Sequence, residues 1–256
     1  MKRMKYDNDA VQKLAKILGV SVATAKKYYR EYELMQQMEK EKNKELHIIL
    51  ASKSERRKEI LAREGYNFEI YVPKAKEKNI IGKKYSEELV DECAKEKAKN
   101  AYEELKTMNK SPNTLQNDSI NNTKVTINDT SIIVSCDTVV VNDNIIIGKP
   151  KDRNDAIQIL KSLSGRRHKV VSALCICKNG KYYVKNETTF VTFRNIENEE
   201  LEKFVDEKKP YDKSGAYAIQ DEKYIFAEKI EGSIDNVVGF PIELFKEMLE
   251  SLNCQV

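Results

Sequence analysis

The sequence predicts an α/β fold with a mixed sheet and long twisted hairpins, preceded by a helical N-terminal extension. Three observations carry this. Short apolar, β-branched runs such as "LHIILAS" and "IIVSCDTVVV" are interspersed with stretches whose apolar residues recur at helical spacing. The strands and helices do not keep the strict strand–helix–strand order of a purely parallel sheet. Asn179-Gly180 stands between two strand-like runs as a tight hairpin turn. The 256 residues suffice for one large domain or two small ones, and a charged fraction of 34% against 40% apolar marks a globular chain. The longest apolar runs are far too short to span a bilayer, and no N-terminal stretch combines a basic flank, an apolar block and a cleavage site. A cytoplasmic protein without membrane attachment is expected.

Taken in order, residues 1–45 read as a separate helical segment. Val11, Leu14, Ala15 and Leu18 keep helical spacing, "GVS" interrupts them, and Ser21 is placed to cap a second helix. Helix, short turn with glycine, helix is also the outline of a helix-turn-helix. This segment carries 11 Lys and Arg against 7 Asp and Glu, whereas the other residues carry 34 of each sign. Nucleic acid is therefore a secondary candidate partner through residues 1–45. A helical extension that packs on the body or mediates association is the plainer reading.

Residues 46–256 read as the main domain. "LHIILAS" is a strand, "SERRKEILAREG" a helix stopped at Gly65, and "NFEIYVP" a strand. A long helix begins after Ser86 and continues through Leu89, Cys93, Ala94, Lys97 and Ala101. The Asn-, Ser- and Thr-rich stretch at about 107–131 has little to bury and is expected to be a disordered insertion. A strand pair around Asp137 follows, then the helix "DRNDAIQILKSLSG", the hairpin at Asn179-Gly180, the helix "ENEELEKFVDEKK", the strand "KYIFAEKIEGS" and the closing helix "FPIELFKEMLESL". "GSIDNVVGFP" reads as a tight loop.

Several stretches carry chemistry. In "LASKSERRKEIL", Ser52 and Ser54 offer hydroxyls and backbone N–H groups at a helix start, where the helix dipole attracts phosphate. Arg56 and Arg57 oppose that dipole, which makes sense if they face an anion; the alternative is surface pairing with Glu55 or Glu59. Asp137 is flanked by apolar β-branched residues, where a carboxylate needs a partner or a metal. Lys149 follows the next strand. Asp137, Lys149 and a second acid such as Glu77 would suit phosphate chemistry with a divalent metal, the alternative being a structural Asp–Lys pair. In "KPYDKSGAYAIQ", Lys213 could meet phosphate, Gln220 could read a base edge, and Tyr211 or Tyr217 could stack. Five cysteines without a C-x-x-C and only two histidines point to reduced thiols rather than a zinc site, and His47 and His168 lack a nucleophile partner.

From about Leu46 to Leu252 the chain resembles the Maf family of nucleoside triphosphate pyrophosphatases. The matching stretches are "LASKSERRKEIL", "CDTVVV", "GKP", "LKSLSGRRHKV", "FVDEKKPYDKSGAYAIQ" and "GSIDNVVGFP". The resemblance implies a long, twisted mixed sheet with flanking helices and two lobes around a cleft. It implies cleavage between the α- and β-phosphates of a nucleotide, with Mg²⁺ or Mn²⁺, and a homodimer. It implies that Asp137 activates water, that Ser52, Arg56, Arg57, Lys97 and Lys149 hold phosphates, and that Glu77 assists Asp137 at the metal. Arg56, Thr138 and Gln220 would set base choice, with "DT" and "IQ" similar to the branch acting on dTTP and UTP. Glu55, Ser214 and Asp221 depart from the residues usual at those places. The other reading is a non-catalytic, nucleotide-sensing or nucleic-acid-associated regulator that uses the basic N-terminal helices.

Overall fold

In the computed structural model, which describes residues 8–45, 47–75, 78–110 and 125–253, the organising element is a strand buried on both faces. This strand, β3 (Ser131–Asn142), follows the shorter strands β1 (His47–Leu50) and β2 (Phe68–Ile70). Its near-continuous apolar run is what burial on both sides demands. Ile133, Val139 and Val141 face one layer, and Ile132, Val134 and Cys136 the other.

The sheet has seven strands in the order β2-β1-β3-β5-β6-β7, with β4 (Ile145–Ile147) also paired to β3. β1 is parallel to both β2 and β3. The remaining pairs are antiparallel, including the long hairpin of β5 (Arg167–Lys178) and β6 (Lys181–Phe193) and the edge strand β7 (Ala227–Glu231). Positive φ at Asp143 and Asn144, and again at Asn179 and Gly180, gives each hairpin a turn whose twist matches the strands. The mixed α/β fold expected from the sequence is therefore present, with helices on both faces.

One face is covered by α4 (Glu87–Lys110), which follows α1 (Asn8–Leu18), α2 (Val22–Glu45) and α3 (Glu55–Arg63) in the chain. Ala94, Ala98 and Ala101 are small enough to bring its axis close to β3, and Ser135 donates to Ala94 O at 2.6 Å. The other face carries α3, α7 (Ile234–Val238) and α8 (Ile242–Asn253), with Phe240, Phe245 and Leu61 in the core. A third apolar cluster joins α5 (Arg153–Leu163) and α6 (Asn198–Lys208) to the far end of the sheet. The stretch read as a loop, "GSIDNVVGFP", contains α7, whose first turn is capped by Ser233 Oγ accepting from Asn236 N at 3.1 Å. The polar insertion falls largely on residues 111–124, outside the described residues; α4 continues to Lys110 before it, and Val125 is buried after it. Among the described residues no helix is long and apolar enough to cross a membrane.

His168 packs edge-on against Phe193 and meets Tyr217 Oη at 3.0 Å through Nε2, so it belongs to the core, as does the ring of Tyr217. Burial pulls the His168 pKa from 6.5 down to about 4. The unfolded chain takes up this proton below 6.5 and the folded chain only near 4. Stability should therefore fall as pH drops through that window and be unaffected by this group above it. Urea unfolding at pH 7 and near pH 4 should differ by about 3 kcal/mol on this account, a difference that His168→Phe removes.

Candidate active site

β1 and β4 both pair with the same edge of β3 but leave a break between them. β1 covers residues 131–134 and β4 covers 140–142, while β5 runs along the opposite edge without interruption. Residues 135–139 therefore present an unpaired edge just where β1 turns away into α3. A cleft of about 820 Å³ opens there, within the size range of ligand sites. Carboxyl ends of parallel strands at a change of direction are a common place for such crevices.

Asp137 sits in this break. Its neighbours Ser135 and Val139 share the face covered by α4, and Lys97 on α4 makes an ion pair with its Oδ1. Both side chains are more than four-fifths buried. A buried ion pair is often no more stabilising than an apolar pair of similar size, so its presence here argues for chemistry rather than for stability. Cys93, Lys97 and Asn100 form a stripe at i, i+4 and i+7 along α4 that lines the cleft. Burial, reinforced by Asp137, pushes the Cys93 thiol up to about 11, so it is not a nucleophile at neutral pH.

The α3 end of the cleft offers hydrogen-bond donors and positive charge. Ser54 precedes the helix in extended conformation without a side-chain cap, which leaves N–H groups of the first turn open. Ser52 Oγ accepts from Ser54 N and from Arg57 Nη1, both at 3.2 Å, so its own proton remains to be donated. Arg57 bridges the walls. Its Nη1 donates to Cys136 O at 2.7 Å and its Nε to Gly239 O at 2.9 Å, with Nη2 reaching Thr138 Oγ1 at 3.3 Å. These acceptors are all neutral, so the guanidinium brings an unbalanced positive charge beneath the cleft. The Thr138 hydroxyl is held between Ser172 Oγ at 2.8 Å and Gly239 O at 3.3 Å, and shapes this wall.

The opposite rim comes from the segment after α6. Lys213 pairs with Asp212 at 2.6 Å, and Asp212 also lies 3.5 Å from Arg56. Burial alone would raise the Asp212 carboxyl, but Lys213 and Arg56 together hold it below the usual range. Asp212 thus stands between two cations on the rim of the cleft. Asp212→Asn is expected to tighten pyrophosphate binding several-fold, read by titration calorimetry; unchanged or weaker binding would show that Asp212 instead orients the cations. The Ile81 side chain leans over Gly148, beside Lys149, and the Gly148 carbonyl accepts from Gly215 N at 3.1 Å. This contact ties the Lys149 strand end to the Lys213 rim.

The structure therefore gathers Ser52, Arg56, Arg57, Lys97, Asp137, Thr138, Lys149, Lys213 and Gln220 around one cleft. Glu77 lies outside the described residues. The lysine that pairs with Asp137 is Lys97, from a helix 40 positions away, rather than Lys149 in the adjacent hairpin. Arg56 and Arg57, grouped together from sequence, separate into a rim residue and a half-buried brace. The three departures take structural roles. Glu55 pairs outward with Lys58 at 2.7 Å, Ser214 donates to Thr138 O at 3.4 Å, and Asp221 holds Lys208 at 2.8 Å and the N–H of Tyr224 at 3.1 Å. Asp212, Asn100 and Lys53 also line the cleft and were not foreseen; "YDKS" contains the acid, but nothing in its spacing announces a partner 156 residues away. Among the described lining residues seven are Lys or Arg and four Asp or Glu, so the cleft is basic although the body as a whole is balanced.

The profile of the Maf-like protein family matches residues 47–252. This chain belongs to the Maf-like protein family. A dTTP/UTP pyrophosphatase of Clostridium botulinum is 37% identical over 205 residues, covering 79% of this chain and 97% of the relative. Those of Bdellovibrio bacteriovorus and Aquifex aeolicus are each 35% identical, covering 79% and 81% of this chain and 96% of each relative. The Maf-like match spans the whole sheet and cleft and leaves α1 and α2 outside it.

Proposed function

We propose that this Maf-like chain hydrolyses dTTP and UTP, or related modified pyrimidine nucleotides, between the α- and β-phosphates. Water attacks the α-phosphorus, its oxygen stays on the nucleoside monophosphate, and pyrophosphate leaves with the bridging oxygen. The observation that carries this reading is the ion-paired Asp137 at the unpaired edge of β3, inside a basic cleft. The activity by which the relatives are named supplies the substrate class.

In this reading Asp137 takes the proton of the attacking water, and Lys97 fixes the carboxylate that receives it. Arg56, Lys149, Lys213, the Ser52 hydroxyl and the open N–H groups of α3 hold the phosphates, with Arg57 adding charge from beneath. Gln220 reads the base edge, and Thr138 with Arg56 shapes the wall beside it. The expected cofactor is Mg²⁺ or Mn²⁺. Among the described residues no cluster of three or more His, Cys, Asp or Glu exists to cage an ion. One carboxylate with a free oxygen beside a phosphate cradle does fit a hard cation that takes the rest of its ligands from substrate and water. Asp137 would hold it, with Glu77 as the second acid that the resemblance supplies. When bound, such an ion neutralises phosphate charge and acidifies water.

The reading also takes residues 46–256 as the catalytic unit and residues 1–45 as a helical extension, in a cytoplasmic homodimer. The deciding experiment is pyrophosphate release from dTTP, UTP, CTP, GTP and 7-methyl-GTP with Mg²⁺ or Mn²⁺. Turnover of dTTP and UTP above the others supports the reading; no turnover of any of them overturns it.

A further inference from the structure

We propose that α1 and α2 form a helix-turn-helix unit that binds double-stranded DNA, with the first turns of α2 lying in the major groove. The link between the helices is three residues, Gly19 to Ser21, and Gly19 takes the left-handed conformation (φ +64°) that the turn requires. Val20 N returns to Ala15 O at 3.1 Å, and Ser21 Oγ accepts from Thr24 N at 3.1 Å, which fixes the start of α2. Val11, Ala15 and Ala25 are buried where the helices cross, and the two alanines permit their close approach.

The outer side of α2 is then set by this packing. Val22, Ala23, Lys26, Lys27 and Arg30 are exposed, and no acidic residue occurs from Val22 to Arg30. Glu31 begins the acidic part of the helix and lies 3.9 Å from Lys27, an exposed pair too weak to neutralise it. Residues 22–30 span about 13 Å of helix, against a major groove about 12 Å wide. In such units the N-terminal residues of the second helix reach base edges while the first helix crosses the backbone, and Lys13 and Lys16 on α1 are exposed for that contact. The charge excess of the chain is confined to residues 1–45, so a polyanion larger than a nucleotide is matched here and not by the body. Ile17 and Tyr32 are exposed as well, which makes a second copy of this chain the rival occupant.

The test uses the full chain and a fluorescein-labelled random-sequence duplex of about 24 base pairs, with anisotropy read from about 50 mM salt upward. Binding should weaken steeply with salt. The variant Lys26→Ala/Lys27→Ala/Arg30→Ala should bind at least about tenfold more weakly, and its log–log salt slope should shrink by about 0.9 for each phosphate it no longer neutralises. The variant's pyrophosphate release reports whether it is folded, because these residues lie outside the cleft; if the chain proves inactive, its thermal unfolding serves instead. Selection from a random duplex pool should enrich a shared sequence. The proposal falls if no duplex binds at low salt, if the triple variant binds as the parent does, or if the selected pool stays random. It falls equally if single-stranded RNA is preferred, or if residues 1–45 only join two copies of the chain.

Discussion

Replacing Asp137 with Asn should reduce pyrophosphate release from dTTP and UTP by about 100- to 10,000-fold, the usual range for loss of a general base. The substitution keeps the shape and one oxygen opposite Lys97 but removes the charge that accepts a proton. Because the side chain is mostly buried and paired, some loss of stability is also expected, so thermal unfolding must accompany the kinetics. A folded Asp137→Asn enzyme that retains more than about a tenth of parental turnover would remove Asp137 from the reaction. Lys97→Met makes a useful companion. If Lys97 positions the carboxylate, its loss should lower kcat more than it raises KM; if it mainly grips phosphate, KM should carry the change.

Arg57→Met should destabilise the fold by about 2 kcal/mol, whereas Arg56→Met should leave stability nearly unchanged and weaken substrate binding. The difference follows from their partners. Arg57 donates to Cys136 O and Gly239 O; Gly239 O keeps the Thr138 hydroxyl as a second donor, so Cys136 O is the acceptor that loses its donor. Such an orphan costs about 1–3 kcal/mol. Among the described residues Arg56 is held only by a long contact with Asp212, which is two-thirds exposed. Urea unfolding of the two variants, set beside KM for dTTP, would decide. Equal effects of both substitutions on both quantities would mean that the two arginines share one role.

Much of this was legible in sequence because the signals were local. Helical spacing marked α4, α5, α6 and α8, and Asn179-Gly180 marked the long hairpin. Asp137 stood out because a carboxylate within a β-branched run needs an explanation wherever the run lies. Contacts between distant segments were not legible. The Lys97–Asp137 pair requires knowing that α4 crosses β3 at Ala94, and the Arg56–Asp212 pair that α3 and the segment after α6 share one rim. α7 was missed because five residues between glycines show no periodicity, and only its Ser233 cap distinguishes it from a turn. The separate duties of Arg56 and Arg57 follow from a 100° step around the helix, which sends adjacent side chains to different neighbours.

The interruption in the partners of β3 also separates what must be kept from what is free to change. The long β5–β6 hairpin backs β3 along its unbroken edge, while Arg57 and Lys97 brace residues 136–138 from the cleft side. The segments 78–81 and 218–220 line the cavity yet take no part in the pairing of β3. Exchanging them would reshape the space offered to a base while every ladder hydrogen bond of that strand survives. Most proteins surrender stability when they acquire a new substrate, because the same residues serve both ends. Here the two sets meet mainly at Ile80 and Ile219, which pack on the core, so the other residues of these segments are the tolerant places to evolve, or to engineer, a different nucleotide preference.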